Sequence, residues 1–316
     1  MHSLPSVRRA VIDVGTNSVK LLVADVAGAN VIPVEERSQQ TRLGRGFYET
    51  HVLQTDAISA TAEAVRKFST IARDLNTGSI RVFATSAARD ALNSSDLLAA
   101  IESSSGLQLE IISGEQEADW VFQGVSTDAR LAGTALLIMD VGGGSTEFIL
   151  GQGQQQHFRN SYRLGTVRLL EQLHLGDPPG VAALAQCRDW LKKFLEQQIA
   201  PALGSSLRNH DRKIRLVGTG GTTTILARME QQLPNFDRER IEATRLSLLQ
   251  LRTHVERHWT LSLEDRKKII GLPPNRADVI LTGMAIYEAV MEQFGFGELQ
   301  ISTRSLSYAA VLEQSI

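Results

Sequence analysis

The chain has 316 residues, 42% hydrophobic and 22% charged, with a formal net charge of -2. That length exceeds what a single hydrophobic core usually fills and predicts two domains, while the near-neutral charge gives no general ground for a nucleic-acid partner, so any polyanion must be held locally. No stretch approaches the roughly 20 apolar residues of a membrane span, and the opening MHSLPSVRRA lacks the apolar run of a signal peptide. One cysteine, Cys187, excludes an internal disulfide. The expectation is a cytoplasmic protein with no nucleic acid and no membrane as partner.

Ala10 to Val26 reads as strand, loop, strand, with apolar runs on either side of Asp13-Val14-Gly15-Thr16-Asn17-Ser18. Ala27-Gly28-Ala29-Asn30 is a hairpin turn into a third strand, Val31 to Arg37. The next segment, TRLGRGF from Thr41 to Phe47, suits either a solvated turn or the wall of a cleft. Ile58, Ala62, Val65 and Ile71 give Thr55 to Leu75 a helical stripe that ends near Asn76-Thr77-Gly78. Ser79 to Ala84 is a short strand, and TSAARDALN puts Arg89 just inside the start of a helix. A guanidinium there either meets an oxyanion or faces solvent. Leu107 to Ile112 is a further strand. In ISGEQEADWVFQGV, Ser113 and Gln116 form a capping box that starts a helix. Ala118, Val121, Phe122 and Val125 make its core stripe, and Glu117 lies in the first turn on the edge it shares with Val121 and Gly124.

LLIMDVGGGSTEFILG, Leu136 to Gly151, repeats the opening: Asp140-Val141-Gly142-Gly143-Gly144-Ser145 has the D-V-G-x-x-S of Asp13 to Ser18, again between apolar strands. Matching motifs in matching contexts predict two related halves, each presenting a phosphate loop. Three successive glycines suit a backbone whose N–H groups approach an anion closely. Asp140 and Glu147 bracket that loop, and a carboxylate beside a phosphate repels it unless a cation sits between, so a divalent metal is implied. Gln154 to Tyr162 is the next strand, Gly165-Thr166 precedes a helix containing Arg168, and Val181 to Gln198 is an amphipathic helix with Cys187 on its core stripe. Ile214 to Val217 is a strand running into Gly218-Thr219-Gly220-Gly221-Thr222, a third glycine loop that opens a helix and makes Gly220 and Gly221 another anion site. His254 and His258 stand four apart in a charged helical region, but Val255 occupies the place of a zincin glutamate, and a surface helix is expected. Arg276 to Phe294 is a helix whose Gly283 and Ala285 allow close packing. Ile301 onward is a terminal strand and helix.

Together these pieces resemble the actin and sugar-kinase (ASKHA) superfamily. More narrowly, from about Arg8 to Leu312, the chain is similar to the exopolyphosphatase / guanosine pentaphosphate phosphohydrolase family. The resemblance rests on IDVGTNSVKLLV, SGEQEA, DVGGGSTEF, LGTVRL, VGTGGT and RADVILTG. It implies an α/β fold of two actin-like (ribonuclease H-like) domains flanking a cleft: residues 1–125, completed by a C-terminal helix at about 300–316, and residues 126–299. It also implies Glu117 as the base that activates water, Glu147 as a second essential acid, and Asp13 and Asp140 as carboxylates holding Mg²⁺ or another divalent cation. Gly15, Thr16, Asn17, Ser18, Arg89, Gly142, Gly143, Gly144 and Ser145 would hold phosphates. The implied activity is metal-dependent release of terminal phosphate from inorganic polyphosphate, guanosine pentaphosphate or both, with guanosine tetraphosphate as a further ligand and a homodimer by analogy. A small-molecule kinase of the same superfamily and a nucleotide-gated binding protein are the alternatives. Two departures stand out: Ser305-Leu306-Ser307 replaces a family pattern with arginine near position 307, and the expected lack of further C-terminal domains speaks against processive binding of very long polyphosphate.

Overall fold

The structure, a computed structural model, describes residues 6–210 and 213–313. Residues 1–5 of the opening read for a signal peptide, and residues 314–316 of the expected C-terminal helix, lie outside the described residues. By internal contacts the chain forms two compact units, Met1–Ala129 with Arg304–Ile316, and Arg130–Thr303.

The first unit holds β1 (Val7–Val14), β2 (Ser18–Ala27), β3 (Asn30–Gln40), β4 (Ser79–Ala84) and β5 (Leu109–Ile111) in the order β3-β2-β1-β4-β5. The first three form an antiparallel meander, and β4 and β5 run parallel to β1. Central β1 is buried without a break from Ala10 to Val14, Asp13 included, because both of its faces are covered. Ile12, Val14 and Leu21 pack with Val65 and Phe68 of the Thr55–Asp74 helix and Leu97 and Ile101 of the Ser94–Ser105 helix. The helix Leu306–Leu312 lies along Gly114–Ser126, so close that a Cβ on Gly124 would overlap the Ser305 carbonyl.

The second unit holds β6 (Ala135–Val141), β7 (Thr146–Gln152), β8 (Gln155–Tyr162), β9 (Arg215–Thr219), β10 (Arg245–Ser247) and β11 (Glu298–Ile301), ordered β10-β11-β9-β6-β7-β8. Read from the other edge, β8-β7-β6-β9-β11 repeats β3-β2-β1-β4-β5 in order and in sense, with antiparallel β10 added at the edge. Each unit is therefore an α/β domain with the ribonuclease H-like sheet of the actin superfamily. Among the described residues no helix is long and apolar enough to cross a membrane.

Several elements differ from their expected form. Arg89 lies in the last turn of a helix of only five residues, Ser86–Asp90. The helix from Gly180 runs past Phe194 through a π-helical turn, Leu195–Ile199, and on to Arg208, because Leu195, Ile199 and Leu203 keep the apolar face in register. Pro274–Arg276 is a 3-10 turn, and the helix proper is Ile280–Phe294. The Leu248–Trp259 helix is not a surface helix on all sides: Leu251, Val255, His258 and Trp259 form a stripe buried against neighbouring helices.

Candidate active site

Both D-V-G-x-x-S segments close into the same turn. The Gly15 N–H donates to the Ser18 carbonyl at 3.0 Å, and the Gly142 N–H donates to the Ser145 carbonyl at 2.9 Å. A Cβ on either glycine would sit 3.1 Å from that carbonyl oxygen, which favours glycine at both positions.

A second strap then turns each loop's remaining carbonyls inward. The N–H groups of Thr41 and Arg42 both donate to the Asn17 carbonyl at 3.1 Å, and that of Gly44 donates to the Thr16 carbonyl at 2.7 Å. In the second unit Thr166 N–H donates to the Gly142 carbonyl at 2.9 Å, and Val167 and Arg168 N–H donate to the Gly143 carbonyl at 2.9 and 3.1 Å. The Arg168 Nε donates to the Gly144 carbonyl at 2.9 Å. In a trans peptide the carbonyl of one residue and the N–H of the next point in opposite directions. Strapping the carbonyls inward therefore turns the N–H groups of Asn17, Ser18, Gly143, Gly144 and Ser145 outward, which is how a backbone nest receives an anion. In the first loop, Asn17 Nδ2 and Ser18 Oγ are buried with no hydrogen-bond partner among the described residues. Buried polar atoms in that state suit an oxygen-rich ligand.

Register decides what accompanies each aspartate. Across β1 and β2, Asp13 faces Lys20, whose Nζ lies 3.7 Å from Asp13 Oδ2. Burial pushes the Asp13 carboxyl up, against the lowering effect of the Lys20 charge. Across β6 and β7, Asp140 faces Glu147, which is 1% exposed and accepts from Ser161 Oγ at 2.7 Å. Gly220 has φ of +87°, and a side chain there would run into the Asp140 carboxylate. The Gly220–Glu230 helix thus opens directly against Asp140, with Gly221 next to Arg276. Behind them, Tyr287 donates to the Met139 carbonyl at 3.1 Å; burial, and then the Asp140 charge, push its phenol well up.

Arg89 and Glu117 meet in the first unit. The Ser113 hydroxyl accepts from the Gln116 N–H at 3.1 Å, fixing the start of Gly114–Ser126 and placing Glu117, 7% exposed, in its first turn. Arg89 Nη1 donates to Glu117 Oε2 at 3.0 Å and to the Ile112 carbonyl at 3.1 Å. The Gly15–Ser18 loop, Arg89 and Glu117 follow the carboxyl ends of β1, β4 and β5, the edge at which parallel α/β sheets bind ligands.

Asp140 and Glu147 are two buried carboxylates on neighbouring strands, with glycine keeping space beside the first. Oxygen donors of this kind suit a hard divalent cation. Among the described residues no group of three or more His, Cys, Asp or Glu side chains is placed to hold a metal ion. Asp13 already has a cationic neighbour in Lys20. The histidine pair is occupied otherwise: His254 Nε2 lies 2.9 Å from Glu230 Oε2, and His258 Nδ1 lies 2.6 Å from the His254 carbonyl. Cys187 is buried in the core, and burial pushes its thiol up to about 12.

The residues from 22 to 312 match the model of the Ppx/GppA phosphatase family. The chain belongs to that family. Exopolyphosphatase 2 of Mycobacterium tuberculosis is 30% identical over 314 residues, covering 95% of this chain and 96% of its own length. The crystal structure of the Aquifex aeolicus Ppx/GppA family member is 28% identical with a TM-score of 0.78, covering 98% of this chain and 97% of that one. An exopolyphosphatase from Cytophaga hutchinsonii is 25% identical with a TM-score of 0.85, covering 96% of each chain. As a Ppx/GppA member the chain is a phosphoanhydride hydrolase. Sequence reasoning about this Ppx/GppA chain passed over Lys20, Ser161 and Tyr287. Lys20 follows Asp13 by the same seven residues that separate Glu147 from Asp140, so superposing the two repeats would have found it.

Proposed function

We propose that this chain is a divalent-metal-dependent exopolyphosphatase that releases the terminal phosphate of inorganic polyphosphate, and of guanosine pentaphosphate through the same terminal phosphoanhydride. The observation that carries the reading is the Arg89–Glu117 pair, at 3.0 Å, on the same strand-end edge as the Gly15–Ser18 nest. The name of the M. tuberculosis relative, an exopolyphosphatase, supports the choice of polyphosphate.

In this reading the outward N–H groups of Asn17 and Ser18 bind phosphate oxygens, and Asn17 Nδ2 and Ser18 Oγ gain the partners they lack. Arg89 orients Glu117 and presents its remaining N–H donors to the phosphoryl group. Glu117 accepts a proton from water as the water oxygen bonds to the terminal phosphorus and the bond to the bridging oxygen breaks, so that the shortened chain leaves as an anion. In the second unit, a divalent cation held by Asp140 and Glu147 would supply positive charge to phosphate oxygens received by the Gly143–Ser145 nest.

The test is phosphate release by the purified protein with Mg²⁺ from polyphosphate, guanosine pentaphosphate and ATP, with EDTA and Glu117→Gln as controls. Release from either of the first two substrates, lost in both controls, is expected. Release from ATP alone, or rates that survive Glu117→Gln, would sink the reading in favour of the kinase or the gated binder.

A further inference from the structure

The Thr41–Phe47 segment is one motif to which the hydrolytic scheme gives no task. Its backbone is bound to the first phosphate loop through three N–H groups, as described above. Arg42 holds φ of +54°, a left-handed conformation that few non-glycine residues adopt. Constrained backbone of this kind tends to persist where surrounding structure over-determines it. Gly44 makes the tightest approach. A Cβ on Gly44 would collide with Thr16 Cγ2 and stand 3.3 Å from the Thr16 carbonyl oxygen, while its own N–H donates to that oxygen at 2.7 Å. Gly44 therefore lies flat against both the side chain and the peptide of Thr16. Thr16 is buried and β-branched, so it has few rotamers into which to retreat. The Thr16–Asn17 peptide plane that Gly44 touches is also the one that sets the direction of the Asn17 N–H. Thr41 Oγ1, at the start of the strap, is a third buried polar atom with no partner among the described residues, beside Asn17 Nδ2 and Ser18 Oγ.

We propose that Gly44 is a positioning residue for phosphate binding: acting through Thr16, it fixes the tilt of the Thr16–Asn17 peptide and with it the aim of the first anion nest. The inference rests on the phosphohydrolase reading above, and it assigns that site a determinant outside the D-V-G-x-x-S motif.

The experiment is a double-mutant cycle of Gly44→Ala, Thr16→Ser and both together, read as kcat and KM for polyphosphate, with circular dichroism and thermal unfolding as checks on folding. Gly44→Ala is expected to raise KM by about tenfold, the scale of one charge-assisted hydrogen bond, with kcat changed far less. Thr16→Ser removes the methyl that the new Cβ meets, so the double variant should recover at least about threefold of that loss, the lower range of coupling between touching residues. Circular dichroism and thermal unfolding separate the KM effect from destabilisation, because relief of the same clash would rescue either one. Unchanged KM in Gly44→Ala, or effects that simply add, overturns the proposal. Should Gly44→Ala alone fail to fold, a folded and active double variant supports the coupling and an unfolded one refutes it. If the wild type releases no phosphate, the same cycle is read as tripolyphosphate affinity by calorimetry. Weakening by Gly44→Ala and recovery by Thr16→Ser then uphold the positioning role while the hydrolase reading falls, and no binding by the wild type ends both.

Discussion

Lys20 and Glu147 occupy the same position in the two repeats: each faces the loop-bearing aspartate across an antiparallel pair, Lys20 opposite Asp13 and Glu147 opposite Asp140. The duplicated frame thus carries opposite charges at one register point. An acid facing an ammonium and an acid facing a second acid present different local charge to a cation, the second being the more attractive. Glu147→Gln should therefore raise the Mg²⁺ concentration for half-maximal phosphate release by about ten- to a hundredfold, the scale seen for altered metal surroundings. Lys20→Met should leave that requirement nearly unchanged and raise KM for polyphosphate instead. A metal titration of both variants decides the matter, and equal shifts in metal requirement would remove the distinction between the halves.

Glu117 and Arg89 should separate on substitution. Glu117→Gln keeps the side-chain shape and removes the proton acceptor, so kcat should fall by about 10²- to 10⁴-fold with little change in KM. Arg89→Ala removes donors to both Glu117 and the Ile112 carbonyl, so kcat and KM should both suffer. Steady-state kinetics with polyphosphate distinguish the two patterns. A Glu117→Gln enzyme with intact kcat and raised KM would mean that the carboxylate binds without acting as a base.

Gly220 is constrained twice, by φ of +87° and by the Asp140 carboxylate beside it. Gly220→Ala should cost about 1–2 kcal/mol from the backbone conformation alone. It should also displace Asp140 and so increase the Mg²⁺ requirement. Thermal unfolding measures the first effect and metal titration of activity the second; a destabilised variant with an unaltered metal requirement would show that Asp140 does not depend on this glycine.

The parts of the site that could be read from the sequence are those whose chemistry is local. Glycines that must turn under a carbonyl, as Gly15 and Gly142 do, announce themselves by type and spacing, and Ser113 as an N-cap places Glu117 within its helix before any tertiary contact is known. The rest depended on register and long-range packing. Lys20 reads as an ordinary strand lysine until β2 is set beside β1, and Gly44 matters only because residues 28 positions away fold back beneath it. The helix around His258 misled for a related reason: Arg252, Glu256 and Arg257 mark its exposed face, while four residues at helical spacing carry its buried face.

His258 turns that buried face into a pH dependence. Its ring is 1% exposed, its Nδ1–H donates to the His254 carbonyl at 2.6 Å, and Nε2 has no partner among the described residues. Burial, helped by the charges of His254, Arg257 and Arg266 and opposed by the hydrogen bond to His254, holds its pKa down at about 4, from 6.5. The unfolded chain therefore binds a proton between these values that the folded chain refuses. The associated stability is fully present above pH 6.5 and is lost as pH falls toward 4, by about 3 kcal/mol at most. His258→Asn keeps a donor near the His254 carbonyl and cannot titrate. Apparent melting temperatures measured from pH 7 to pH 4 should fall more steeply for the wild type than for His258→Asn, even if the variant starts lower because the smaller side chain leaves a gap. Parallel curves would place the acid sensitivity on other groups and leave His258 with a packing role alone.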